Sequence, residues 1–169
     1  MATTGATQLT PPTGQEAPER DEIVELLTMA YWMEIETVMN YLAASANLNG
    51  VRAQVIADQL RADVQAELGH AQRFAQRLRE LDAVVPGSVA FTASQESLNA
   101  AVDRSSLRDV IQGVLEAERA AIRHYRRLIE ACEGVDYVTQ DLAVTVLADE
   151  EAHRRAFEGY LREYESDRG

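Results

Sequence analysis

The stretch QAELGHAQR, Gln65 to Arg73, sets Glu67 and His70 three residues apart inside a run of helical character. DEEAHRRAF, Asp149 to Phe157, repeats the device with Glu150 and His153. The chain has only 3 histidines, so two of them serve one pattern. Residues three apart on a helix are neighbours, about 5–6 Å between Cβ atoms. A carboxylate and an imidazole at that spacing can therefore meet one metal ion. A single Glu-x-x-His is common on solvated helices and identifies nothing alone.

Outward from the pairs, an internal repeat emerges. EIETVMNY (34–41) places Tyr41 seven residues after Glu34, and ERAAIRHY (118–125) places Tyr125 seven after Glu118. Glu34 precedes Glu67 by 33 residues and Glu118 precedes Glu150 by 32. Seven residues fall about 20° short of two full turns, so each tyrosine shares its glutamate's inward stripe, about 10 Å further along. The spacing predicts four helices that turn four carboxylates and two imidazoles toward one core. Such a cluster of like charges is costly in a low-dielectric interior, and two divalent cations would offset it. Oxygen and nitrogen donors without thiolate suit iron or manganese, with zinc as a lesser alternative.

Neighbouring residues fit the pattern less well. Glu36 and Glu116 lie two positions from Glu34 and Glu118, about 160° around the helix when 3.6 residues make a turn, and Glu151 is a poor partner for His153. His124 falls outside the repeat and is assigned to the surface. Met29, Met33, Met39 and Trp32 suit core packing better than a haem-lined face. Gly69, in mid-helix, suggests a side chain approaching the backbone closely.

The rest of the chain supports an all-α fold. Residues 1–18 are rich in Thr, Pro and Gly and read as a disordered tail. From Glu19 apolar positions recur at helical spacing (Ile23, Leu26, Leu27, Ala30, Met33, Val38, Tyr41, Leu42), and NLNG (47–50) stops the run with Gly50 as a left-handed cap. A second helix spans about Arg52 to Leu81, with Val55, Ile56, Leu60, Val64, Leu68, Ala71, Phe74 and Leu78 inward. Residues 82–106 lose the periodicity, apart from a short helix near 94–102, and are too long for an ordinary helix–helix loop. Ser106 N-caps a third helix that Gly134 ends, and a fourth runs from about Tyr137 to Tyr164. Two antiparallel hairpins joined by a crossover at about 82–106 make a four-helix bundle domain over 19–166.

Bulk composition narrows the partners. Twenty-eight acids against 16 bases give a net charge of −12, which counts against DNA binding through a positive field. The single Cys132 excludes an internal disulfide framework or cysteine metal cluster. No run is apolar enough to span a bilayer and no signal peptide is evident, so no membrane partner is expected and the cytoplasm is the expected location.

With these residues in place, the chain resembles the ferritin-like superfamily over about residues 20–165. Its pattern is similar to a bacterioferritin-type di-iron carboxylate site and to Dps-like mini-ferritins. The resemblance implies a ferritin-like four-helix bundle holding two iron ions per subunit. Glu34 and Glu118 would be terminal carboxylates, Glu67 and Glu150 bridging ones, and His70 and His153 one imidazole for each metal. Tyr41, Tyr125 and Asp149 would support them from outside. The implied activity is that of a ferroxidase, with Fe(II) oxidised by O2 or H2O2 and ferric iron sequestered in an oligomeric shell. The alternatives are a rubrerythrin-like peroxidase or other di-iron or di-manganese oxidoreductase that stores nothing, and a Dps-type stress-protection protein.

Three departures from that pattern carry expectations. Leu68 stands where bacterioferritin has a haem-binding methionine, so no haem is expected by that route. An acid usually precedes each bridging glutamate and supports a histidine; Asp149 is one, whereas Ala66 cannot be the other. Only 16 residues follow His153, too few for the fifth helix of 24-subunit ferritins, so the resemblance favours a homo-oligomeric shell of 12 subunits, with a dimer or small oligomer open.

Overall fold

A computed structural model describes residues 16–98 and 106–166 of the chain. Four long helices, α1 (Glu16–Asn47), α2 (Val51–Glu80), α3 (Leu107–Cys132) and α4 (Tyr137–Ser166), form the molecule, with no strand among the described residues. Two short 3-10 turns, Ser88–Ala90 and Glu96–Leu98, lie in the connection between α2 and α3. None of the described helices is long and apolar enough to cross a membrane.

The side-chain pairings fix the helix directions. At one end Arg20 of α1 donates to the Leu81 carbonyl just past α2, and at the other Arg61 of α2 reaches the Ser45 carbonyl of α1 at 3.2 Å. Arg108 near the start of α3 pairs with Glu165 near the end of α4. Both hairpins are therefore antiparallel. Between them, Tyr41 meets Glu118 and Tyr125 meets Glu34, while Arg77 meets Asp136 and Tyr160 meets Gln59. So α1 opposes α3, α2 opposes α4, and α2 runs parallel to α3. A chain leaving α2 must then travel the bundle's length before α3 can begin, which is why the crossover is long.

The crossover is pinned at several points. Phe91 packs on Trp32 with ring centroids 5.2 Å apart. The Glu36 carboxylate accepts the Ser94 N–H (2.7 Å), the Ser94 hydroxyl (2.8 Å) and the Gln95 N–H (2.8 Å). Ser97 lies so close to α3 that a Cβ on Gly113 would sit 2.5 Å from its carbonyl oxygen. The expected helix near 94–102 is a single 3-10 turn over 96–98 where it is described; residues 99–105 fall outside the described part.

Local chemistry sets the ends. The Ser106 hydroxyl accepts the Asp109 N–H at 3.2 Å, the expected cap of α3. Gly134, at φ +74°, ends that helix in the left-handed region. Asp136 caps α4 by accepting the Thr139 N–H at 3.0 Å, a cap the periodicity left unnamed. Gly50 has positive φ (107°) but ψ 159°, so it opens α2 from a mirrored extended conformation and does not act as a left-handed cap. α1 starts at Glu16, three residues ahead of the expected boundary, because Pro18 in a first turn interrupts no hydrogen bond. The rest of the expected tail, 1–15, falls outside the described residues.

The interior has two apolar halves. One gathers Tyr41, Ile56, Leu60, Ile111, Leu115 and Phe157. The other gathers Ile23, Leu27, Phe74, Leu78, Tyr125 and Val146. Leu42, Val55 and Leu68, expected inward, are exposed instead; each adjoins a buried Tyr41, Ile56 or Glu67 and so points about 100° away. Met29 and Met39 are likewise on the outside, at 50% and 46% exposure, and not in the core.

Candidate metal centre

Between the two apolar halves lies a polar layer to which all four helices contribute. α1 supplies Glu34, α2 Glu67 and His70, α3 Glu118, and α4 Glu150 and His153. The four glutamates are each at most 2% exposed. Their donor atoms form two overlapping groups, each within 4.8 Å: Glu34, Glu67, His70 and Glu150, then Glu67, Glu118, Glu150 and His153. Glu67 and Glu150 belong to both.

The two rings face inward alike. His70 Nδ1 lies 2.9 Å from Glu150, 3.3 Å from Glu67 and 3.7 Å from Glu34. His153 Nδ1 lies 3.2 Å from Glu67, 3.6 Å from Glu150 and 3.9 Å from Glu118. Despite these short distances, both Nδ1 atoms, both Glu67 oxygens, Glu118 Oε2 and Glu150 Oε1 lack a hydrogen bond of acceptable geometry. Buried polar atoms are ordinarily paired. A set of unpaired carboxylate and imidazole donors converging on one point fits a cation pair. A void of about 10 Å3, lined by Met33, Thr37, Ala117 and Ala121 among others, opens beside the carboxylates between α1 and α3.

The tyrosines cross between hairpins. The Tyr41 hydroxyl donates to Glu118 Oε1 at 2.6 Å, and the Tyr125 hydroxyl donates to Glu34. Each fixes the glutamate of the opposite repeat, because α1 and α3 run antiparallel.

Burial and mutual repulsion set the ionisation of the layer. Burial, then the Glu67 and Glu150 charges, push the Glu34 carboxyl well above the ordinary value of 4.5. Burial and Glu150 do the same to Glu118. Burial also works to raise Glu67, but the adjoining His153 and His70 rings outweigh it and hold that carboxyl low. Burial opposes the charged imidazoles; the surrounding glutamates nevertheless push His70 up to about 12 and His153 up to about 11. Tyr41 and Tyr125 are raised by burial and by the nearby carboxylates, so their hydroxyls stay donors.

Among the neighbouring acids, Glu116 is exposed and Glu151 pairs with Arg126 at 2.9 Å. Glu36 is outside the site but buried, as the anchor of the crossover. His124 is not a surface residue: it is half-buried, with Nε2 2.8 Å from the Leu26 carbonyl, an acceptor that makes this nitrogen the donor. Burial depresses its pKa. Gly69 has nothing within 4 Å of where a Cβ would sit, so no close approach accounts for it. Asp149 reaches across to His70, with Oδ2 3.2 Å from Nε2. Asp63, unremarked in the sequence, is buried beside His153. Its place four residues before Glu67, on the same face, was the available signal.

Residues 24–166 match the family described as ferritin-like domain. The DNA protection during starvation protein of Pyrococcus furiosus is 25% identical over 143 residues, covering 83% of this chain and 77% of that protein. The bacterioferritin of Desulfovibrio desulfuricans is 23% identical over 146 residues, covering 86% and 77%. Its X-ray structure, described with a diiron site in different catalytic states, superposes with a TM-score of 0.78 at 20% identity, covering 91% of this chain and 86% of that one. A dodecameric thioferritin from Bacteroides fragilis superposes at 0.73 with 21% identity, covering 88% and 89%. At these identities the solved structures establish a shared fold.

Proposed function

This chain belongs to the ferritin-like domain family, and from that premise we propose that it is a ferroxidase that oxidises Fe(II) and sequesters the ferric product in a homo-oligomeric shell. The observation that carries this is the pair of overlapping donor groups sharing Glu67 and Glu150. Shared carboxylates suit two ions held about 3.5–4 Å apart. Glu34 and Glu118 would each serve one ion, as would His70 and His153. Iron fits the oxygen-rich set with one imidazole per position, and manganese or zinc would fit the same donors less distinctively.

Two Fe(II) substrates bound together can each give up one electron to a two-electron oxidant, O2 or H2O2; with H2O2, two protons are taken up and two waters leave. The protein's part is positional. Tyr41 and Tyr125 hold the terminal carboxylates through their hydroxyls. Asp149 faces His70 Nε2, which favours the tautomer with Nδ1 free to bind a cation. The apolar halves on either side keep the layer poor in water.

A shell is favoured by the dodecameric relative in fold and by apolar Met29, Leu42 and Val55 exposed on the α1–α2 hairpin. We place the activity in the cytoplasm. A second reading is a di-metal oxidoreductase that stores nothing, and a third is DNA protection of the kind named for the P. furiosus relative, against which the net charge of −12 weighs.

One experiment separates these. Fe(II) is added aerobically to purified protein and the particle size is measured before and after. Many irons retained per subunit in a large particle is the expected result. Rapid oxidation with about two or fewer irons retained per subunit in a small oligomer would sink storage and favour the second reading. No oxidation, with salt-sensitive retardation of DNA on a gel, would favour the third.

A further inference from the structure

The two histidines do not have equal outer support. Both direct Nδ1 to the carboxylates and Nε2 away from them. Behind His70, Asp149 stands 3.2 Å from Nε2. The position related to Asp149 by the repeat, directly before the other shared glutamate, is Ala66, which has no polar atom to offer. The carboxylate that does lie behind His153 Nε2 is Asp63, at 3.9 Å.

Asp63 is built into its place. It is 5% exposed, one turn ahead of Glu67 on α2. Its Oδ1 accepts from Gln59 Nε2 at 2.7 Å, and the Gln59 Oε1 accepts the Tyr160 hydroxyl of α4 at 3.3 Å. Tyr160 thereby orients the amide so that its NH2 group faces Asp63. Oδ2 has no hydrogen-bond partner. A buried carboxylate with an idle oxygen is expensive, and the cationic partner recorded for it is the His153 ring, whose Nε2 faces Oδ1, the oxygen that also accepts from Gln59.

We infer that Asp63 is the positioning residue for His153, replacing from one turn away the acid that position 66 lacks, and that it makes the His153 metal position the weaker of the two. A separation of 3.9 Å is an ion-pair spacing and exceeds a hydrogen bond, so Asp63 restrains its ring less tightly than Asp149 restrains His70. The side chain of His153 is also 16% exposed against 3% for His70. This rests on the paired-metal site proposed above.

The test is anaerobic titration with Co(II), read by its d–d absorption, with circular dichroism as the check on folding. The wild type should bind two ions in unequal steps, the weaker being the one that His153→Ala removes. Asp63→Asn should weaken that step about 10–100-fold and spare the other, and Asp149→Asn should do the reverse. Asp63→Asn/Ala66→Asp should recover the lost affinity, which a purely structural role for Asp63 would not allow. If Asp63→Asn does not fold, Ala66→Asp alone should still tighten the weak step. Two wild-type steps left unchanged by Asp63→Asn, or weakened equally, would overturn the assignment of Asp63. Failure of the wild type to take up two ions would instead overturn the paired-metal site.

Discussion

Under the proposed function, Glu118 is a side chain that would serve metal binding at the expense of stability. Burial, then the charges of Glu150 and Glu67, raise its pKa, and it accepts the Tyr41 hydroxyl. Glu118→Gln keeps the shape and an acceptor for Tyr41 but removes a negative charge. The expected outcome is two-sided: Fe(II) oxidation slows by more than about 100-fold, beyond the usual loss for an outer partner, while metal-free protein melts no lower than the wild type. Stopped-flow absorbance and calorimetry would check the two halves; unchanged oxidation means the wrong carboxylate is held responsible. Glutamate and histidine positions were readable because repetition at fixed spacing marks them. Asp63 and His124 were not, since what they do depends on Gln59, His153 and Leu26, residues on the same or other helices whose proximity no local pattern announces.

Two glycines in mid-helix place opposite demands on their elements. Gly69 in α2 has open space around its missing Cβ, whereas Gly113 in α3 faces the Ser97 carbonyl. Glycine within a helix costs about 1 kcal/mol relative to alanine. Gly69→Ala should therefore raise stability by about 0.5–1 kcal/mol, read by denaturant unfolding. Gly113→Ala should lower stability by about 1–3 kcal/mol, because backbone must shift to relieve the overlap, and it should loosen the crossover. Equal effects from the two substitutions would refute this account. Helix periodicity located the four helices. It could not show that Glu36, facing away from the cluster, anchors the crossover through Ser94 and Gln95, because a segment lacking periodicity carries no signal of the surface it lies on.

At the scale of the molecule, the bundle consists of two apolar halves held apart by a charged layer, so its stability is linked to what fills that layer. Burial, then neighbouring carboxylate charges, raise the pKa values of Glu34 and Glu118. Their contribution is present below the ordinary carboxyl value of 4.5 and is lost as the pH rises toward and through the folded values. Bound cations require these groups deprotonated. The rise in melting temperature on adding Co(II) or Zn(II) should consequently be larger at about pH 7.5 than at about pH 5.5. A rise independent of pH would show that the buried carboxylates are not the groups being neutralised. The sequence by itself determined the all-helical architecture, the two hairpins and the six residues that meet in the layer, since helical spacing and an internal repeat are local properties of a chain. Only the tertiary structure decided that each tyrosine meets the glutamate of the opposite repeat, that His70 is the histidine Asp149 faces and that Asp63 stands behind His153. Those pairings arise because α1 lies antiparallel to α3 and α2 to α4, and which residues become level across a helix pair depends on how the helices pack.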